Sequence, residues 1–159
     1  MRAVVLGAGA TGARAVRQLI ATPAVTAVAV ADVDGERSRR VVESMADDRA
    51  RSVPATGRWW DGSDVAVLAH PGGDHADLAR RLVDDHLSVV SVSGAAADLR
   101  GLLALDDHAR QRRRVVVAGA GFSPGLSCLL AAHGASGLDA VDEVHVARTG
   151  WGGPACREG

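Results

Sequence analysis

The chain has 159 residues and a mass of 16.3 kDa, enough for one domain, and its 47% hydrophobic and 23% charged residues argue for a packed core and against disorder. Eighteen basic and 19 acidic side chains leave a net charge of -1, which lacks the basic excess of a phosphate-gripping surface, so no nucleic-acid partner is expected. Every basic residue is arginine. Without lysine or tyrosine, Schiff-base chemistry, P-loop phosphate binding and a Tyr-Lys catalytic pair are excluded.

Residues 3–6 read as a buried strand, followed at once by GAGATG. The next segment sets Gly12, Ala15, Val16, Leu19 and Ile20 on one face and Arg14, Arg17 and Gln18 on the other, a helical period that Pro23 ends. Residues 25–31 form a second apolar strand closed by Asp32, and a helix with Val41, Val42 and Met45 inward follows. Residues 49–63 read as an irregular loop anchored by Trp59 and Trp60, with a short third strand near Ser52 and Val53. Residues 65–69 form a strand ending in His70, Pro71, Gly72 and Gly73. The helix after it places His75, Leu78, Ala79, Leu82, Val83 and His86 on one side. Residues 87–92 are a strand, and Leu99, Leu102 and Leu103 mark a helix running to the arginines at 112–114, which its dipole favours. After a strand at 115–118, Ser123 as N-cap and Pro124 at the first helical position open a helix to about His133, with Cys128 and His133 in the core. Residues 141–147 read as one last strand.

Strand and helix thus alternate with short connections, and the strands are nearly all apolar. Parallel strands need crossover helices, which cover both faces of the sheet. The expected fold is α/β: a doubly wound, mostly parallel sheet of Rossmann type. Cys128 and Cys156 are too few for a disulfide scaffold and lack the paired spacing of a zinc site. No apolar run reaches the roughly 18–20 residues of a membrane helix, and Arg14 and Arg17 interrupt a faint likeness to a signal peptide. No membrane partner is expected, and a reducing cytoplasmic setting is the default.

Gly7, Gly9 and Gly12 fit G-x-G-x-x-G, and the context of first strand and first helix gives that spacing its meaning. Gly7 permits the tight turn, Gly9 lets the backbone approach a pyrophosphate, and Gly12 allows close helix–strand contact. With Ala10 and Thr11 they would present free N–H groups at a helix N-terminus to the phosphates. Asp32 follows Gly12 by twenty residues, the offset of an acid that accepts hydrogen bonds from an adenosine ribose. A carboxylate there favours NAD over NADP. Arg37, Arg39 and Arg40 keep NADP open, since an arginine just past the strand can hold a 2′-phosphate.

In open α/β sheets ligands bind outside the carboxyl ends of the strands. His70, Pro71 and Gly72 lie at one such end, residues 91–94 at a second, and Ser123, Pro124 and Gly125 at a third. The first and third sets are candidate borders of a nicotinamide site. His70 is also the candidate acid or base, beside the simpler reading of a loop histidine that caps the next helix. His70, Asp74 and His75 lack a regularly spaced further ligand, and no metal is expected.

The stretches VVLGAGATGARAVRQL, DLRGLLALDDHARQRRRVVVAGAG and FSPGLSCLLA, with G-x-x-P-G at residues 121–125, resemble the saccharopine dehydrogenase-like family of NAD(P)-dependent oxidoreductases. The resemblance implies a nucleotide domain over residues 1–137 and the start of a truncated substrate domain over 138–159, with DEVHVARTGWGGPA similar to that domain's first strand. It also implies NAD(P), a small-molecule substrate bound between domains, and hydride transfer at a carbon–nitrogen or carbonyl centre. Lysine-pathway members use a lysine and a histidine, so saccharopine itself is not the expected substrate of this lysine-free chain. A non-catalytic dinucleotide-binding module, acting as redox sensor or partner subunit, stays open beside it, as does a doubly wound domain for another nucleotide. An incomplete sheet exposes an edge, which favours a homo-oligomer or a partner that supplies the missing domain.

Overall fold

Strand β1 (Arg2–Leu6) buries Val4 and Val5 fully, although neighbouring residues of a strand face opposite sides of the sheet. Val4 joins a cluster with Leu68, Leu82 and Leu102, whereas Val5 joins one with Val16, Val28 and Val30. Each fully buried side chain of this size contributes about 1.5–3 kcal/mol, so both faces must carry helices. The computed structural model, which describes residues 1–147, has that architecture.

The elements after β1 are α1 (Ala10–Ile20), β2 (Ala27–Asp32), α2 (Gly35–Met45), β3 (Ala50–Pro54), β4 (Val65–Leu68) and α3 (His75–Asp84). They continue with β5 (Ser88–Ser91), α4 (Ala96–Leu103), α5 (Asp106–Gln111), β6 (Val116–Val117) and α6 (Leu126–Ala135). The six strands form one parallel sheet in the order β3-β2-β1-β4-β5-β6, the doubly wound Rossmann order. Chain direction across the sheet reverses between β1 and β4. Leu6 lies level with Ala31 on β2 and Leu68 on β4, so Gly7, Asp32 and His70 gather along one edge.

Val41, Val42 and Met45 of α2 pack on the Val5 cluster, as their spacing predicts. The third strand is longer than expected. Trp59 and Trp60 meet edge to face at 5.0 Å and pack against the Val4 cluster, with Trp60 Nε1 donating to Asp85 at 2.8 Å. Among the described residues, no helix is long and apolar enough to cross a membrane.

Several expectations are corrected. The helix expected to run to residue 114 is two helices, because the chain turns at Ala104 and Leu105. Arg112 closes α5 and pairs with Asp84 at 2.9 Å, while Arg113 takes a left-handed turn at φ 55°. His86 is exposed rather than inward, since α3 ends at Asp84 and His86 turns back at φ 64°. Residues 141–147 form no strand: among the described residues no neighbour pairs with them, and Val144 and Val146 stay exposed. Cys128 and His133 are exposed, not core, because α6 is apolar around much of its surface and little of it is covered. Cys156 lies outside the described residues, as does the part of the expected substrate-domain start after 147.

Candidate functional site

At the end of β1 the chain makes a tight turn into α1. Gly7 donates to Ala31 O at 2.8 Å and sits at φ +101°, a region that favours glycine. A Cβ on Gly7 would lie 2.6 Å from the backbone of Ala69 and His70, and one on Gly12 would collide with the Gly7 carbonyl. These two glycines are therefore demanded by packing alone. Gly9 is different. It is the N-cap of α1, exposed, at φ -74°, and a Cβ there would meet nothing within 4 Å. With no side chain it offers no cap hydrogen bond, and among the described residues the N–H groups of Gly9, Ala10, Thr11 and Gly12 have no acceptor. Four donors at the positive end of a helix thus lack acceptors beside a position kept free of side-chain bulk.

Asp32 ends β2 and is buried. Its Oδ2 accepts from Ala8 N–H at 2.6 Å and its Oδ1 from Asp34 N–H at 2.8 Å. The carboxylate therefore braces the glycine turn as well as closing the strand, a second duty that spacing alone does not reveal. Arg37 reaches it at 3.4 Å and Asp34 at 3.5 Å, whereas Arg39 turns away to Glu36 at 2.6 Å. Asp34 caps α2 through the N–H groups of Glu36 and Arg37, and these bonds hold its carboxyl below the ordinary value.

The ends of β4 and β5 are joined by a polar network. His70 stacks on the buried His75 at 4.1 Å, its Nε2 donating to Asp74 at 2.8 Å while its Nδ1 is buried without a partner. His75 Nε2 faces the His70 carbonyl at 3.3 Å, which can only accept. Nε2 therefore carries the proton, and Nδ1 accepts from Ser91 Oγ at 2.8 Å. Burial pushes the His75 imidazole below the ordinary histidine value, and the His70 ring adds to the effect. Ligand atoms of His70, Asp74 and His75 lie within 4.8 Å of one another, with His70 Nε2 engaged by Asp74 and His75 Nδ1 by Ser91.

Asp98, on α4, is the residue that sequence reasoning missed. Its Oδ2 accepts from Ser93 Oγ at 2.6 Å and Gly73 N–H at 2.9 Å, and its Oδ1 accepts from His75 N–H at 3.2 Å. Burial alone would raise its carboxyl, but the Ser93 hydroxyl and Gly73 N–H outweigh that and hold it below the ordinary value. Asp74 leaves the start of α3 without a side-chain cap, so Asp98 caps it from another helix. No local signal marks this, because the partners lie 23 and 25 residues away.

Ser123 and Pro124 do not open the helix. They are joined by a cis peptide, Gly125 is the N-cap, and α6 begins at Leu126. The local pattern fits a cap, but Ala120 N–H bonds to Ser91 O at 2.8 Å and Gly121 bridges to Gly125, so the chain loops once more before the helix. The loop lies against the end of β5, with Ser123 O 3.0 Å from where a Cβ on Gly94 would stand. Two grooves, of about 380 and 600 Å³, are lined by residues of 102–118 and 117–129, and neither includes the glycine turn or Asp32.

Because burial holds the His75 imidazole below its ordinary value in the folded chain, its contribution has a definite sign. Below about pH 6.5 the unfolded chain takes up a proton there that the folded chain refuses. Stability is therefore full above that pH and lost as the pH falls toward the depressed folded value, by at most about 1.4 kcal/mol per pH unit. Thermal unfolding at about pH 7.5 and 5.5 is expected to show a smaller drop for His75→Gln than for the wild type. Equal drops would mean that His75 titrates normally.

No known protein-family profile matches the chain. Solved structures do. GenD2 from gentamicin A biosynthesis, in complex with NAD, is 22% identical with a TM-score of 0.68, over 91% of this chain and 41% of that one. KijD10, a 3-ketoreductase from Actinomadura kijaniata with NADP and TDP-benzene, is 22% identical with a TM-score of 0.63, over 73% and 36%. UDP-N-acetylglucosamine 3-dehydrogenase GnnA from Acidithiobacillus ferrooxidans is 19% identical with a TM-score of 0.58, over 73% and 37%. The likeness establishes the Rossmann-type fold. The chain spans about two fifths of the length of these proteins, and none of the three is described as a saccharopine dehydrogenase.

Proposed function

We propose that the chain is the NAD(P)-binding part of an oxidoreductase. The observation that carries this is Gly9: packing gives no reason for a glycine there, yet it stands beside four unsatisfied helix N–H donors. A pyrophosphate against the backbone explains both. Gly7, Ala10, Thr11 and Gly12 complete the cradle, and Asp32 takes the adenosine ribose. His70, Pro71 and Gly72, with Ser123, Pro124 and Gly125, border the nicotinamide side. A bound nicotinamide would supply the hydride chemistry, and the chain would supply orientation and electrostatics.

The saccharopine dehydrogenase-like assignment rests on motif resemblance. The solved structures include a sugar-nucleotide dehydrogenase and a ketoreductase, which supports a carbonyl or alcohol centre over a carbon–nitrogen one. As an acid or base His70 has little support, since one ring nitrogen is bonded to Asp74 and the other is buried. Catalysis would then need groups outside the described residues. The exposed apolar residues Leu126, Leu129 and Leu130 of α6 support placing the substrate domain, in this polypeptide or a partner, against that helix.

Fluorescence titration of the purified chain with NADH and NADPH tests the reading, and saturable binding of at least one is expected. Arg37→Ala is expected to weaken NADPH by about tenfold and to leave NADH nearly unchanged, because Arg37 is the guanidinium beside Asp32. Failure to bind either dinucleotide would reject the proposal.

A further inference from the structure

We propose that Asp98 is a positioning residue for the nicotinamide half of the dinucleotide, acting through the turns that end β4 and β5. The proposal rests on the cofactor reading above. With the ribose at Asp32 on β2 and the pyrophosphate at the β1 turn, the strand order leaves one direction for the rest of the ligand, over β4 and β5. The turns that end those strands are the ones Asp98 joins. It accepts from Ser93 on the β5 side and from the Gly73 and His75 N–H groups on the β4 side.

The turn after β4 abuts the glycine turn, which keeps its own support from the Ala31 carbonyl and the Asp32 carboxylate. His75, fixed by Asp98 through its backbone, places its Nε2 on the His70 carbonyl. The backbone of Ala69 and His70 in turn packs so closely on Gly7 that a Cβ there would stand 2.6 Å away. Gly72 is held as tightly: a Cβ on it would lie 2.6 Å from Ser93 Oγ and 2.8 Å from Asp98 Oδ2. One buried carboxylate on neutral donors thus sets the height of residues 70–73 above the sheet edge. Removing it frees three donors and lets that turn drift. The Asp32 side of the crevice, on the other flank of β1, keeps its own hydrogen bonds to Ala8 and Asp34.

The two halves of the crevice can be read separately, because ADP carries the adenosine and pyrophosphate groups without a nicotinamide. Calorimetric titration of wild type, Asp98→Asn and Asp98→Ala with NADH and with ADP makes the comparison. We expect NADH to weaken by about tenfold or more in the variants while ADP stays within about twofold. A role confined to overall stability would weaken both alike or neither, and either result overturns the proposal. Should Asp98→Ala and Asp98→Asn fail to fold, Ser93→Ala deletes one donor, keeps the carboxylate and must show the same split. A wild-type chain that binds neither ligand would remove the cofactor reading and this proposal with it. A wild type that binds both, with no split in the variants, would remove this proposal alone.

Discussion

Gly9→Val is expected to abolish NADH binding while costing the fold no more than about 1 kcal/mol, the penalty for a poor N-cap residue. At Gly9 the backbone is in an ordinary extended conformation and a side chain would meet no protein atom within 4 Å. A valine there would add bulk at the N-cap, beside the N–H groups of residues 9–12, where a pyrophosphate would rest. Gly12→Val makes the opposite case. Its Cβ would enter the Gly7 carbonyl, backbone against backbone, which no rotamer relieves. About 3 kcal/mol of stability or more is expected to be lost, together with binding. Urea unfolding and NADH titration of both variants separate a glycine kept for a ligand from one kept for packing. Wild-type affinity in Gly9→Val would leave Gly9 without a functional reason and take away the chief support for the cofactor reading.

That contrast shows what a sequence can carry. The G-x-G-x-x-G spacing and Asp32 are legible because each depends on local events, a strand followed by a turn into a helix and an acid at the next strand's end. Apolar runs announce those strands directly. The pattern could not divide the three glycines between packing and ligand, since that needs the Ala69 backbone to be placed against Gly7. Asp98 was invisible for a related reason. It caps α3 across two turns, and only the order of strands in the sheet brings those turns together. Where local signals misled, a longer-range requirement won. Ser123 and Pro124 have the chemistry of a helix start, but hydrogen bonds from residues 120 and 126 hold the segment in a loop. Residues 141–147 have the composition of a strand, yet a strand needs a neighbour, and composition supplies none.

Asp32 carries the second large effect, and it is expected to split in a revealing way. Asp32→Ala would leave the N–H groups of Ala8 and Asp34 without their buried acceptor, so about 1–3 kcal/mol of stability is expected to go along with binding. A loss of affinity in that variant would then mix a deformed glycine turn with a missing ribose contact. Asp32→Asn lessens the confusion: the shape is kept, and the amide oxygen still accepts from one of the two N–H groups. Any deformation of the turn weakens NADH and NADPH alike and cancels in their ratio. The negative charge is what opposes a 2′-phosphate, and it is also what engages Arg37 at 3.4 Å. With the charge removed, Arg37 is free to meet the phosphate, while the ribose hydroxyls lose an ionised acceptor. The ratio of NADPH to NADH affinity is therefore expected to rise by about tenfold in Asp32→Asn, read from parallel fluorescence titrations. An unchanged ratio would place the adenosine ribose away from Asp32, leaving that carboxylate as a brace for the turn and nothing more.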